Sequence, residues 1–404
     1  MKRLLEINVS ANTGSTGRIA EEIGRLATAN NFDSYIAYGR VNNHSQLKTI
    51  RVGCNWDFKM HALQSRLLDN HGFASRHATR KFLQQLDQIK PDIIHLHNIH
   101  GYYINIEYLF EYLKDVSIPV VWTLHDCWPI TGHCAHFDYF NCGRWKTRCH
   151  DCPNIQGYPK SIIIDRSERN FEIKRNIFTS IRNLTIVTPS IWLKNIVKES
   201  FLKDFPIYVI NNGVDLNVFK PCKDLNTLDK YRINDKKKII LGVASIWGRR
   251  KGLTDFLKLS SILNGDYQIV LVGLSEKQLY DLPSNITGLR RTENVKELAQ
   301  LYSSADVFVN PTYVDNFPTT NIEALACGTP VVTYRTGGSP EAVDQNTGYV
   351  VEKSNIDMLG YAIKETLSKD PVEIERACRQ RAVRLYDKNE RFMDYINLYN
   401  SVIG

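Results

Sequence analysis

Asp315 and Glu323 are two carboxylates eight positions apart, separated by the hydroxyl and amide side chains of Thr319, Thr320 and Asn321. An apolar run precedes them at Phe308 and Val309, and another follows at Val331 and Val332 after a Gly-Thr-Pro turn. This order predicts strand, loop, helix, turn and strand, which is a parallel βαβ unit. The loop after the first strand of such a unit opens on the ligand crevice at the carboxyl edge of the sheet. Backbone N–H groups at the start of the helix, from Thr319 to Ile322, suit a phosphate. Glu323, in the first helical turn, does not bind that anion; it suits hydrogen bonds from sugar or ribose hydroxyls. The combination describes a pocket for a nucleotide sugar.

The elements that must position these groups are legible as an alternation of strands and helices. Leu4–Val9, Tyr35–Tyr38, Ile93–His97, Val120–Leu124, Thr185–Thr188 and Tyr208–Ile210 read as strands in the first half. Arg18–Asn30 and Ile191–Ser200 read as helices among them. After the turn-rich Asn211-Asn212-Gly213-Val214-Asp215 and a polar stretch to Lys238, a second series follows. Its strands are Ile239–Ala244, Ile269–Val272, Val307–Val309, Val331–Thr333 and Tyr349–Val351. Two such series predict two doubly wound α/β domains facing across a cleft. We place them at residues 1–210, with a cysteine-rich insertion over 127–155, and at 211–384. The final segment, Arg381–Ile403, reads as an amphipathic helix.

With 404 residues, 43% hydrophobic, the chain can build a core in each domain. A net charge of +8 favours diphosphates or an anionic membrane surface and is weak support for nucleic acid, which is not an expected partner. No apolar stretch approaches the ~20 residues that span a bilayer. The start, with Glu6 and Asn8 inside its apolar run, reads as a first strand and not a secretory signal. A cytoplasmic location is expected, in which cysteines serve as thiols or metal ligands in preference to disulfides.

In their order, the motifs resemble those of the retaining glycosyltransferases of family 4, which have the two-domain GT-B fold. In the second half these are Thr188-Pro189-Ser190, Asn212-Gly213-Val214-Asp215, Arg250-Lys251-Gly252, the Asp315-to-Glu323 block, Gly337-Gly338-Ser339-Pro340-Glu341 and Thr347-Gly348-Tyr349. In the first half, Arg66-Leu67-Leu68-Asp69 with Gly72-Phe73, Asp92 to Asn98, and Thr123-Leu124-His125-Asp126-Cys127-Trp128-Pro129 are similar to the capsule, exopolysaccharide and colanic-acid-type members. The resemblance implies a UDP- or GDP-sugar donor and a saccharide or lipid-linked saccharide acceptor, in surface polysaccharide biosynthesis. It also implies a final helix, from about residue 385 to 404, that crosses back to the N-terminal domain.

The resemblance further implies site residues. Lys251 and Arg250 grip the donor diphosphate, with Thr319, Thr320, Asn321 and Glu323 completing the donor site. Gly17 N–H approaches the phosphates from the first loop, and Ser15 or Arg18 faces the acceptor. His125 positions the transferred sugar, and Asp315 and Glu323 meet its hydroxyls. His97 and Asn98, at a strand end, are read as acceptor contacts. The family usually carries Glu where this chain has Asp315, a side chain one methylene shorter. It also has an Arg where this chain has Ser245-Ile246, so Arg249 or Arg250 must supply that charge.

Two features stand apart. His95, His97 and His100 suggest a metal, but no acidic residue is spaced in sequence to join them, and no Asp-x-Asp motif stands out; no catalytic metal is expected. Cys134, Cys142, Cys149 and Cys152 have the spacing C-x7-C-x6-C-x2-C, with His133, His136 and His150 interleaved. Four sulfurs in one loop without hydrophobic period suit a structural zinc, and equally free or redox-sensitive thiols. Arg66, Arg76, Arg80 and Lys81 with Phe73 and Phe82 read either as a solvated face or as a peripheral membrane contact. The rival functions are a carbohydrate-binding protein without activity and another B-type sugar-phosphate enzyme, an epimerase or phosphorylase.

Overall fold

The computed structural model describes residues 1–404, which divide into two compact units, Met1–Asn211 with Phe392–Gly404, and Asn212–Arg391. The first unit holds strands β1 (Lys2–Asn8), β2 (Phe32–Tyr38), β3 (Lys48–Arg51), β4 (Ile93–Leu96), β5 (Val120–Thr123), β6 (Leu184–Thr188) and β7 (Ile207–Val209). They pair in parallel in the order β3-β2-β1-β4-β5-β6-β7. The second unit holds β8 (Lys238–Val243), β9 (Tyr267–Val272), β10 (Ile286–Leu289), β11 (Val307–Asn310), β12 (Val331–Tyr334) and β13 (Gly348–Val351). Their order, again parallel, is β10-β9-β8-β11-β12-β13.

In each sheet the strand order reverses once, between β1 and β4 and between β8 and β11. Crevices outside the carboxyl ends of strands at such a switch point are where doubly wound sheets bind ligands. The loops that follow β4, β8 and β11 carry His97, Lys251 and Asp315. The central strands are buried on both faces, as crossover helices require: β4, β5, β6, β11 and β12 have no exposed residue.

β3 and β10 have no counterpart in the sequence reading. Both are four-residue edge strands, Lys-Thr-Ile-Arg and Ile-Thr-Gly-Leu, and neither presents the apolar run that marks a buried strand. The first helix spans Gly14–Ala29, one turn earlier than Arg18–Asn30, because the Gly-rich segment is its first turn and not a loop. Gly17 is required there: a Cβ on it would lie 2.9 Å from the carbonyl oxygen of Ser10.

The segment Arg381–Ile403 is not one helix. Helices Pro371–Tyr386 and Lys388–Ile403 meet at Asp387, whose backbone is extended. The Tyr386 carbonyl accepts from Val214 N–H (2.8 Å), and Lys388 N–H donates to the Val214 carbonyl (3.1 Å). The groups that would continue the helical ladder are thus drawn into a short bridge with the Asn-Gly-Val-Asp turn. Beyond it, Phe392, Tyr395, Ile396, Leu398 and Tyr399 pack into the first unit against Leu4, Ile23, Phe32, Ile93 and Val121.

The cysteine-rich insertion is less polar in effect than its sequence suggests. It contains three single 3-10 turns, and Trp128, Ile130, Phe137 and Trp145 from it are buried in the first unit's core. Irregular backbone gives these residues no period to read.

Candidate functional site

In the second unit, the turn after β8 and the loop after β11 are laced together. Lys251 Nζ lies 2.5 Å from Asp315 Oδ2, both side chains about four-fifths covered. Backbone conformation makes this approach: Gly252 has φ +79°, and a Cβ on it would lie 2.2 Å from the carbonyl oxygen of Pro311. Only glycine lets the Arg-Lys-Gly turn seat against the exit of β11. Arg250 donates from its guanidinium to the Val314 carbonyl (3.2 Å), and its own carbonyl accepts from Tyr313 N–H (2.8 Å). Ile246 is 78% exposed, and the loop Ser245–Gly248 contains no cation.

The helix Thr319–Ala326 begins at Pro318, and no side chain caps it. The amides of Thr319 and Thr320 therefore lack intrahelical acceptors, at the positive end of the helix dipole. Two carboxylates, a lysine and open amides thus border one loop. Glu323 accepts a hydrogen bond from Tyr302 Oη (3.1 Å), whose ring is fully buried and whose carbonyl accepts from Thr329 Oγ1 (2.5 Å). Burial and the neighbouring Glu323 push the Tyr302 phenol well up, so it remains a donor. Tyr302 carries no sequence signal beyond its apolar helix position.

Asn321 has a different task from the one its place in the motif suggests. It is fully buried, its side-chain oxygen accepts from Asn310 Nδ2 (2.7 Å), and its Nδ2 donates to Ser339 Oγ (2.9 Å). Thr333 Oγ1 joins the same network, 2.7 Å from Ser339 Oγ and 2.9 Å from the Asn310 carbonyl. The amide is spent on tying β11 and β12 to the Gly-Gly-Ser turn, which shapes the site instead of lining it.

In the first unit, His97 and His125 lie at the ends of β4 and β5, their rings stacked at 5.3 Å, with His97 Nδ1 3.1 Å from His125 Nε2. His97 Nε2 lies 3.3 Å from Glu6 Oε1. Glu6 is the acidic neighbour that the sequence spacing did not offer: it comes from β1, where the register sets it opposite His95. Glu6, His95 and His97 bring ligand atoms within 4.8 Å of one another. His95, however, engages both ring nitrogens, with Tyr399 Oη (2.6 Å) and Thr123 Oγ1 (2.8 Å). The cluster is a proton network: burial, then the charge of Glu21, raises the Glu6 carboxyl well above its usual range. Its protonated form donates to His97 Nε2, so His97 donates from Nδ1 to His125 Nε2. His125 then presents Nδ1–H as its remaining donor.

Burial lowers the His125 imidazole to about 4 and His61 to about 3, and holds His71, His95 and His97 well below the ordinary value of 6.5. These five rings are neutral in the fold and charge on unfolding, whereas Glu6 holds one proton more in the fold. Five less one leaves four protons taken up on unfolding as pH falls from 6.5 toward 4.5. Each contributes at most about 1.4 kcal/mol per pH unit. Stability should therefore be lost steeply on that side, which urea midpoints measured from pH 7 to 4.5 will read. An unchanged midpoint down to pH 5 would contradict the buried neutral cluster.

Gly17 is the fourth helical residue, so its N–H has the Thr13 carbonyl as its helical acceptor; the open amides are those of Gly14, Ser15 and Thr16. Ser15 and Arg18 are exposed. Asn98 is half-buried, with its N–H held by Asn8 Oδ1 (3.2 Å). Nearby in the fold, His100 Nε2 lies 2.9 Å from Asp126 Oδ2 and His100 Nδ1 lies 3.0 Å from Tyr158 Oη. Tyr158, Tyr102, Arg66 and Lys160 line an open groove of about 500 Å³. Beneath the loop after His125 sits a residue that no sequence motif singles out. Lys174 is fully buried, donates to the carbonyls of Trp128 (2.8 Å) and Thr131 (3.1 Å), and stands 3.4 Å from the Trp128 ring centroid.

Two parallel doubly wound units of this topology are those of the GT-B fold. A family model described as Glycosyltransferase Family 4 matches residues 58–218, and one described as Glycosyl transferases group 1 matches residues 225–384. The chain is accordingly a glycosyltransferase of GT-B fold, family 4-like in its first unit and group 1 in its second. It is 23% identical over 414 residues to WcaC of Escherichia coli (strain K12), provisionally named a colanic acid biosynthesis glycosyl transferase, covering 99% of this chain and 100% of that one. It is 28% identical to a Campylobacter jejuni N,N'-diacetylbacillosaminyl-diphospho-undecaprenol alpha-1,3-N-acetylgalactosaminyltransferase, over 55% of this chain and 57% of that one. Among solved structures, sucrose-phosphate synthase from Thermosynechococcus elongatus superposes with TM-score 0.74 at 18% identity, covering 100% and 99% of the two chains. Anabaena HepE in complex with UDP-glucose does so with TM-score 0.67 at 14% identity, over 99% and 100%.

Proposed function

We propose that this enzyme moves a sugar from a nucleoside diphosphate donor to a saccharide acceptor, with retention at the anomeric carbon, in the building of a surface polysaccharide. The observation that carries the reading is the Lys251–Asp315 pair at 2.5 Å beside the uncapped start of the Glu323 helix. A lysine and open amides receive a diphosphate; carboxylates receive hydroxyls. The names of the relatives agree: one is assigned to colanic acid, one is named for an undecaprenol-linked acceptor, and HepE holds UDP-glucose. A UDP- or GDP-sugar donor and a saccharide or lipid-linked acceptor follow from that reading.

In the reaction, the bond from anomeric carbon to phosphate oxygen breaks as the acceptor oxygen bonds to that carbon on the same face. The acceptor proton passes to the departing phosphate. Lys251, Arg250 and the amides of Thr319 and Thr320 stabilise the negative charge that develops there. Glu323 and Asp315 orient sugar hydroxyls, and His125, aligned through His97 and Glu6, positions the transferred sugar. Acceptor contacts fall to Ser15, Arg18, His97 and Asn98, with the Tyr102–Tyr158 groove alongside. No helix is long and apolar enough to cross a membrane; we place the enzyme in the cytoplasm, meeting a lipid-linked acceptor at the inner membrane face.

The test is a panel of UDP-, GDP- and ADP-sugars, read by thermal stabilisation and then by product analysis. A donor at 100 times its Kd stabilises the native state by about 2.7 kcal/mol. We expect one base to stabilise the protein and the transferred sugar to keep its anomeric configuration. Stabilisation by none of them, or an inverted product, would overturn the reading.

A further inference from the structure

The insertion that follows His125 contains a built site that the transfer reaction does not use. Cys134, Cys142, Cys149 and Cys152 all line one cavity of about 10 Å³, room for a single small atom. None is in a disulfide. Gly132 lets the chain pack against Cys149: a Cβ on that glycine would lie 2.9 Å from the Cys149 Cβ. The C-x2-C pair, Cys149 and Cys152, sits on one turn whose carbonyls at His150 and Asp151 are both held by the Arg144 guanidinium.

Around the same cavity stand two buried polar atoms without a partner: Nε2 of His133 and Nε1 of Trp145. His133 is 2% exposed, and its other nitrogen lies 2.6 Å from Asp69 Oδ1. Trp Nε1–H is a donor, and a buried donor left unmade is costly. Neutral thiols are weak acceptors, whereas metal-bound thiolates are charged and accept well. An orphaned Trp145 donor beside four sulfurs is therefore accounted for if the sulfurs are thiolates on a cation.

We propose that Cys134, Cys142, Cys149 and Cys152 hold a structural zinc ion, with Trp145 Nε1–H as an outer donor to the sulfurs. Zinc with four thiolates is tetrahedral, at about 2.3 Å per sulfur. The sulfurs here ring the cavity more widely than the 4.8 Å grouping seen at Glu6, His95 and His97, so binding draws side chains inward by rotation about χ1. Asp69 holds His133 at the cavity wall through Nδ1 (2.6 Å). The site would clamp residues 134–152 onto the same buried layer that holds Trp128 and Lys174. It would thereby fix the loop that begins at His125.

The test is the zinc content of the full chain purified without chelator, by plasma mass spectrometry. We expect one zinc per chain, loss of it in C149S/C152S with a lower Tm, and its retention in H133A. Because the cysteine variant can fail to fold, cobalt substitution of the wild-type protein gives an independent reading: four thiolates produce an intense sulfur-to-cobalt charge-transfer band and a tetrahedral visible spectrum. Metal-free protein from zinc-supplemented cells, with four freely titrating thiols in the insertion, would overturn the proposal. Loss of zinc in H133A with retention in C142S would overturn the four-sulfur ligand set.

Discussion

Replacing Lys251 by methionine should lower the transfer rate by about 10² to 10³-fold while leaving the protein folded. The magnitude follows from where the charge goes. As the sugar departs, its electrons remain on the diphosphate, and a fixed cation in a partly dehydrated site stabilises that state far more than bulk water does. Lys251 is fixed by its contact with Asp315 and by the Gly252 turn packed on Pro311. Methionine keeps the aliphatic stem and removes the charge. Stability should change little, because an ion pair whose side chains remain 22% and 19% exposed contributes only about 0–1 kcal/mol. Steady-state kinetics with saturating acceptor, alongside a melting curve, separates the two effects. An active K251M enzyme within twofold of wild type would remove the lysine from the mechanism.

Glu323→Gln should cost about 10²-fold in kcat/KM, comparable with removing a single preorganised transition-state contact. Glutamine keeps the shape and one acceptor oxygen but loses the charge that binds sugar hydroxyls as positive charge develops on the anomeric carbon. Tyr302 acts through this residue: Y302F retains the buried ring and removes only the hydroxyl at 3.1 Å. Its cost to stability is that of one hydrogen bond, about 1 kcal/mol. Its cost to activity should vanish in the E323Q background. A double-mutant cycle reads this directly, since coupled neighbours show interaction energies of about 0.5–3 kcal/mol. Additive losses would mean that Tyr302 merely fills the core.

The parts of this molecule that were legible in its sequence are those encoded locally. Buried strands such as Ile93–Leu96 and Val307–Asn310 announce themselves as apolar runs, and the helix after Pro318 by its hydroxyl-rich start. The edge strands β3 and β10 do not, because half-exposed four-residue strands have no apolar run. Asp387 breaks a helix that its own side chain would tolerate; the cause lies at Val214, distant in sequence, whose backbone captures the groups on either side. Glu6 belongs with His97 only through the β1–β4 register, which brings together residues 91 positions apart. Asn321 sits in a donor-site motif, yet Asn310 and Ser339 enclose it, and nothing local marks which amide of such a cluster turns inward. Tyr302 and Lys174 show the same limit: each is an ordinary helix position until the partner it holds is seen.

The most direct measurement is a crystal structure of the chain with a nucleoside diphosphate sugar bound. A diphosphate oxygen within hydrogen-bonding distance of Lys251 Nζ and the amides of Thr319 or Thr320, with a sugar hydroxyl on Glu323, is the result this account predicts. A donor seated elsewhere, with Lys251 still closed on Asp315 and no sugar hydroxyl on Glu323, would contradict it.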